Sequence, residues 1–230
     1  MTVGVKNRAE LARAIRKAEQ INTARHYEHG YIVEQRKVGG DYRFFVIDGK
    51  VWAVLQRVPA SVIGDGRRTV ATLIKRWNAR PDVGATDDMD KPLLQITVDE
   101  DVRRYLREQQ LRLTSVPEEG RRVWLRKQAN ISLGGTSYDV TAQASPQLKR
   151  WAVTVVAALG LRVAGLDMIA QNIRAKTPQA ADAWILEVND APGIDIHHYP
   201  YRGSAQPVAY GLVKSMLPAV KLPAHLVPRY

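Results

Sequence analysis

The chain has no cysteine among its 230 residues. A disulfide framework, a thiolate zinc site and a cysteine nucleophile are therefore excluded. It also has no apolar run near the ~18 residues that a membrane-crossing helix needs. Its first twenty residues are charged and amphipathic, so no secretory leader is read there. Repeats, low-complexity linkers, zinc fingers, RNA-recognition signatures and aromatic-basic ladders are all missing. These absences give the expectation of a cytoplasmic protein with no membrane association.

What is present looks globular. Apolar residues make up 45% and charged residues 25% of the chain, near the averages for folded domains. A chain of this length buries most of its apolar surface without covalent staples. The formal net charge is +11. A basic surface suits nucleic acid, or it suits phosphate and carboxylate ligands. The lysines and arginines are scattered rather than gathered in a tract, which ranks nucleic acid second.

Local patterns predict a mixed α+β chain. Asn7 and Glu10 have capping-box spacing, and Leu11, Ala14, Ile15 and Ala18 then recur at helical intervals, so a helix is expected over 8–20. Gly30–Gln35 reads as a short buried strand. Asp41–Arg57 reads as a hairpin, because Asp48-Gly49 suits a type I′ turn between two β-rich runs. Helices are expected over about 70–77, 99–110, 145–159 and 204–216. Strands are expected to start near Arg122 and to cover "RVAGLDMIAQNI" and "AWILEVN". Residues 80–92, rich in Asp, Gly and Pro, read as an exposed loop. The tail after Leu217 reads as irregular. A subdomain boundary is placed between Gln35 and Gly40.

Four stretches carry candidate chemistry. In "WILEVNDAPG", Glu187 and Asn189 fall on one face of a strand, since side chains alternate. Carboxylate and amide oxygens without imidazole or thiolate suit Mg²⁺ or Mn²⁺. Asp167 sits in the otherwise apolar "AGLDMI", where burial is costly without a cation or donor. By spacing alone, an ordinary strand end remains the stronger reading of Glu-x-Asn. In "ANISLGGTSYDVT", Asn130 and Ser132 flank a Gly134-Gly135 turn that can present N–H groups to an anion; an ordinary turn would look the same. In "YIVEQRKVGGDYR", Glu34 and then Asp41 follow a strand, as in nucleotide sites where an acid holds ribose hydroxyls; a solvated connector fits equally. In "RVPASVIGDGRRTV", Thr69 suits a helix cap. Arg57, with Arg43 upstream, could grip phosphates or simply lie on the surface.

The order of these stretches is more informative than any one of them. "YIVEQRKVGGDYRFFV", "RVPASVIGDGRRTV", "LRKQANISLGGTSYDVT", "AGLDMI" and "LEVNDAPGIDIHHYPYRG" together resemble the ATP-grasp superfamily. The nearest likeness is to its branch of cyanophycin synthetase and bifunctional bacterial glutathione synthetase. The resemblance runs from about residue 3 to residue 217. It implies a partial ATP-grasp fold, with an antiparallel or mixed sheet and flanking helices. Residues 1–37 would be the remainder of the small subdomain, 38–217 the large C-terminal subdomain and 218–230 a tail. The implied activity is a carboxylate–amine ligase: ATP phosphorylates a carboxylate, and an amine displaces phosphate from the acylphosphate. Amino acids or peptides would be the substrates. Glu34 would be the acid near adenine, with Gln35, Arg36 and Lys37 alongside, and Asp41 would take the ribose position. Asp167, Glu187 and Asn189 would hold Mg²⁺ or Mn²⁺. Arg126 and Asn130 would face the transferred phosphoryl group, with Arg43 and Arg57 as further candidate catalytic residues.

The family places a Lys-Pro and a Gly-rich phosphate loop upstream of "TVGVKN", and the given sequence starts at about the end of that loop. A fragment, one half of a split ligase or a homologue without ligase activity are the expectations that follow. A homo-oligomer, or a partner that supplies the upstream region, is expected with them. His197 and His198 would point to opposite faces if extended, so at most one would meet the site; the oxygen-rich ligand set speaks against a metal role, and an acceptor-substrate contact and a structural role stand level.

Overall fold

The computed structural model describes residues 4–24, 32–85, 88, 91–219 and 221. Two compact units divide the chain, Met1–Val38 and Gly39–Tyr230.

In the first unit, α1 spans Arg8–Ala24, four residues longer than the spacing predicts. Its cap is reciprocal. The Glu10 amide donates to Asn7 Oδ1 at 2.9 Å, while Asn7 Nδ2 and the Lys6 amide donate to the Glu10 carboxylate at 3.1 and 2.8 Å. Beyond it, residues 32–38 have no regular secondary structure, and Ile32 and Val33 are 85% and 66% exposed. The strand expected over Gly30–Gln35 is thus corrected over Ile32–Gln35; Gly30 and Tyr31 lie outside the described residues. A β-rich run becomes a strand by pairing, and this segment joins none of the described sheets.

The second unit is built on a five-stranded antiparallel sheet. Strands β1 (Gly40–Ile47) and β2 (Lys50–Val58) form the expected hairpin. Asp48 and Gly49 have φ of +44° and +72°, the positive pair that a type I′ turn requires. Next come β3 (Ser61–Ile63), α2 (Val70–Asn78), β4 (Val83–Gly84), β5 (Leu93–Leu94), α3 (Glu100–Glu108) and β6 (Arg122–Trp124). They are followed by β7 (Thr136–Asp139), α4 (Pro146–Ala158), β8 (Val163–Ala170), β9 (Ala183–Asn189), α5 (Asp195–His198) and α6 (Val208–Met216). The sheet order is β7-β2-β1-β8-β9, with every neighbouring pair antiparallel.

Alternation on β1 sorts the two faces. Tyr42, Phe44 and Val46 point to one side and pack with Val54, Leu166, Met168 and the α4 residues Leu148, Ala152 and Val156. Asp41, Arg43, Phe45 and Ile47 occupy the other. There Phe45 and Ile47 pack against Ala53 and the α6 residue Val208, while the Asp41–Arg43 end carries charge. A separate core joins α2, α3, β3 and β6 through Val62, Val70, Ile74, Val102, Leu106 and Val123.

Residues 80–92 are not simply an exposed loop. Its ends are tied: β4 pairs parallel with β5, and the Asn78 amide exchanges two hydrogen bonds with the backbone of Ile96 at 3.0 and 2.9 Å. Residues 86, 87, 89 and 90 lie outside the description. α6 begins four residues later than expected. Before it, the Gln206 amide is drawn to the His197 carbonyl and its side chain to Asp139.

The predicted cap at Thr69 is present, its Oγ1 accepting from the Thr72 amide at 3.2 Å. Thr69→Ala should lower the unfolding free energy by about 1 kcal/mol, measured by urea denaturation; a change below about 0.3 kcal/mol would contradict the cap.

Candidate active site

The charged end of the second sheet face is assembled by register. Arg43 on β1 lies opposite Asp167 on β8, which lies opposite Glu187 on β9. Asp41 on β1 lies opposite Arg57 on β2. Directly opposed residues in an antiparallel sheet share a face. Five candidates on four strands, from residue 41 to residue 187, are therefore brought into one patch by backbone pairing alone.

Their side chains form a continuous network. Arg43 donates from Nε to Asp167 Oδ1 at 2.5 Å and from Nη2 to Oδ2 at 2.8 Å. Arg57 Nη2 donates to the same Oδ2 at 2.9 Å, and its Nε donates to Asp41 Oδ1 at 2.6 Å. Glu187 Oε1 lies 3.7 Å from Arg43 Nη2. The side chain of Asp167 is 6% exposed and that of Glu187 64%. The patch thus grades from a buried ion-pair cluster to an open carboxylate at the sheet edge. Gly165 makes room for it. A Cβ there would lie 2.8 Å from Pro192 Cβ and 3.3 Å from Arg43 Cδ, so any side chain would push aside either the turn after β9 or the Arg43 stem.

Opposing forces set the protonation of these groups. Burial raises the pKa of Asp167, but Arg43 and Arg57 outweigh burial and hold the carboxyl below its ordinary value. At Asp41 burial wins over the attraction of Arg57 and the value is raised. The difference is reasonable, because Arg57 is shared while Asp167 has two guanidiniums. Glu187 is raised, first through its hydrogen bond with Asp167 and then through burial.

Asn189 lies opposite Gly165 on the same face. Its Oδ1 accepts from the Ala191 amide at 2.9 Å, shaping the turn. Among the described residues, no group of three or more His, Asp or Glu side chains is arranged to hold a metal ion. The patch offers instead the carboxylate pair Asp167 and Glu187, with the Asn189 amide two residues further along. This oxygen-only set fits Mg²⁺ or Mn²⁺ in kind. The two carboxyls lie on directly opposed residues of β8 and β9, Asp167 and Glu187, so their oxygens face the same side of the sheet.

Arg126 and Asn130 lie on the segment between β6 and β7. Arg126 is buried; its Nη2 donates to Asp99 Oδ2 at 2.8 Å and to the Thr97 carbonyl at 3.2 Å. Its Nε has no partner. Asn130 is exposed and opens a single 3₁₀ turn, Ile131–Leu133. The Asn130 carbonyl accepts from the Leu133 and Gly135 amides. A Cβ on Gly135 would lie 2.7 Å from that carbonyl and 3.0 Å from the Val58 carbonyl, so this loop lies against the end of β2, next to Arg57. Glu34, Gln35, Arg36 and Lys37 belong to the first unit. They lie on its irregular segment, where Lys37 Nζ donates to Gln35 Oε1 at 2.8 Å.

Of the two roles held open for the histidines, their packing matches the structural one. Their segment is helical rather than extended. His197 is fully buried, with its ring edge-on to Phe45 at 5.0 Å and no hydrogen-bond partner on either nitrogen. Burial, aided by Arg43, depresses its pKa to about 3. His198 Nε2 accepts from the Ala209 amide at 3.2 Å, in the first turn of α6.

Asp99 was not singled out by spacing, although Asp before a helical run is a cap signal. It caps α3 through the Val102 amide with one oxygen and holds Arg126 with the other. Asp99→Ala should lower stability by about 1–2 kcal/mol, and Asp99→Asn should recover most of it by keeping the cap. Equal melting curves for the two variants would contradict this split. Tyr201 was also missed. Its amide donates to Ser137 Oγ, and its ring meets Tyr138, Trp77 and the guanidinium of Arg80. It fastens the segment after α5 to β7, opposite Arg57.

No family model matches the chain. It is 40% identical over 217 residues to a cyanophycin synthetase of Nostoc sp., covering 94% of this chain and 23% of that protein. It is 35% identical over 216 residues to the glutathione biosynthesis bifunctional protein GshAB of Mannheimia succiniciproducens, covering 94% of this chain and 28% of that protein. The crystal structure of a bifunctional glutathione synthetase from Pasteurella multocida superposes with a TM-score of 0.67 at 34% identity, over 81% of this chain and 25% of that one. The homologues of the chain are thus cyanophycin synthetases and bifunctional glutathione synthetases, and its fold is that of ATP-grasp ligases. It spans about a quarter of the length of the curated relatives it matches. ATP-grasp ligases in general use ATP and Mg²⁺. No helix among the described residues is long and apolar enough to cross a membrane.

Proposed function

We propose that this chain is the C-terminal ATP-grasp portion of an ATP-dependent carboxylate–amine ligase that works through an acylphosphate. The observation that carries the reading is the interlocked patch of Asp41, Arg43, Arg57, Asp167 and Glu187 on one sheet face, in a chain 40% identical to a cyanophycin synthetase across 94% of its length. The amine and carboxylate substrates are amino acids or peptides. The protein is cytoplasmic, and its remaining parts come from the same polypeptide or from a partner, in a homo-oligomer or a split enzyme.

Asp167, Glu187 and Asn189 hold Mg²⁺ or Mn²⁺, which when bound neutralises phosphate charge. Phosphoryl transfer asks mainly for positioning and charge stabilisation, and the chain's own residues suit both. Arg43 and Arg57 present guanidinium donors beside the carboxylates. Arg126, with one unpartnered N–H, and Asn130, at the exposed mouth of its turn, face the transferred phosphoryl group. Asp41 binds ribose hydroxyls, and Glu34 with Gln35, Arg36 and Lys37 receives adenine. Residues 1–37 complete the small subdomain, 38–217 form the large one and 218–230 a tail.

Phosphate release from ATP and Mg²⁺ with candidate amino acids or peptides tests the reading, for the chain alone and with the upstream region supplied. Release that depends on the amine acceptor is expected in the second mixture. No release in either mixture would overturn the ligase assignment and leave nucleotide binding without turnover as the alternative.

A further inference from the structure

The buried carboxylate proposed as a cation ligand already has cationic partners. Asp167 Oδ1 receives Arg43 Nε, and Oδ2 receives both Arg43 Nη2 and Arg57 Nη2. A carboxylate offers about four lone-pair positions, and three are taken. A magnesium-sized cation binds carboxylate oxygen at about 2.0–2.1 Å. At Oδ2 both positions are held by guanidinium protons, and at the one position left on Oδ1 the cation would sit beside Arg43 Nε, with the same sign of charge. The cation and the arginine clamp therefore compete for Asp167.

The arginines have somewhere to go. Arg57 keeps a second carboxylate, Asp41, at 2.6 Å. Losing Asp167 would not leave it without counter-charge. Arg43 has Glu187 at 3.7 Å on the open side of the patch, a carboxylate it would share with the cation, and is the guanidinium freed for a phosphate. Both guanidiniums are largely buried, at 11% and 13% exposed, so without a cation they supply the charge compensation that a buried carboxylate demands.

We propose that Arg43 and Arg57 are a built-in counter-cation for Asp167, which a divalent cation displaces, and that displacement turns their N–H donors toward the anionic oxygens of a bound phosphate. The inference rests on the cation-site reading given under Proposed function. Its consequence is coupling: the cation binds weakly to the nucleotide-free chain, and phosphate and cation favour each other's binding by the same factor.

The test is Mn²⁺ titration of the nucleotide-free full chain, read by loss of the free-ion electron paramagnetic resonance signal, for wild type, Arg43→Lys and Arg57→Lys. Lysine keeps the charge but cannot grip Asp167 as a guanidinium does. The lysine variants are therefore expected to bind Mn²⁺ more tightly than wild type, on the order of tenfold, with Asp167→Asn abolishing the gain. Circular dichroism melts accompany each titration. Should Arg43→Lys fail to fold, Arg57→Lys, which retains Asp41, decides alone. Wild-type affinity in the lysine variants would overturn the displacement proposal and leave the cation site standing. Absence of Mn²⁺ binding in every variant, even with inorganic phosphate added, would overturn the cation site and the proposal with it.

Discussion

Asp167→Ala is expected to lower the unfolding free energy by about 3–5 kcal/mol, the usual result of removing one partner from a buried ion pair. Arg43 would lose both of its close contacts and Arg57 one of two, while both stay largely buried. Only the distant, exposed Glu187 would face Arg43. For a unit of this size the loss corresponds to a fall in melting temperature of roughly 6–20 °C. Asp167→Asn keeps the shape and one acceptor oxygen but no charge, and should fall between alanine and wild type. Differential scanning calorimetry of the three proteins measures this. A melting temperature within about 2 °C of wild type for Asp167→Ala would mean that the arginines do not close on Asp167.

The second large effect is on acid stability and comes from His197. Its imidazole is buried without a hydrogen-bond partner and stays neutral down to about pH 3. In the unfolded chain it titrates near 6.5. Between those values the unfolded state binds a proton that the folded state refuses, so stability falls as pH falls. His197's contribution is complete above about pH 6.5 and is lost progressively toward pH 3, to a total on the order of 4–5 kcal/mol. Leucine at 197 would remove the titration together with two unsatisfied polar atoms. His197→Leu should therefore match or approach wild type at pH 7.5 and exceed it at pH 4.5. Urea midpoints at the two pH values measure the difference. Parallel loss in both proteins would show that His197 is solvated or partnered.

Local structure was legible where a few neighbouring residues decide it. Asp48-Gly49 announced the hairpin turn, Asn7 and Glu10 the start of α1, and Thr69 the start of α2, because each effect operates within one turn of chain. Glu187 and Asn189 could be assigned to one face by alternation alone. The partners of Asp167 could not. They depend on the order β2-β1-β8-β9, which joins strands more than a hundred residues apart. The same limit explains Ile32–Gln35, whose apolar run reads as a strand although no described strand pairs with it. The conformation of the His-His segment was left open because four residues carry no periodicity. Its helix is set by packing on Phe45 and by the hydrogen bond from α6 to His198.

Binding of a magnesium complex of a non-hydrolysable ATP analogue, followed by calorimetry for wild type and Glu187→Ala, tests the central assignment most directly. Glu187 suits the purpose because its side chain is 64% exposed and its closest guanidinium is 3.7 Å away, so its removal leaves the fold intact. The assignment of this sheet face as the Mg·ATP site predicts measurable binding to wild type and a loss of about tenfold or more in the variant. Equal affinity for the two proteins, or no binding to wild type, would contradict it.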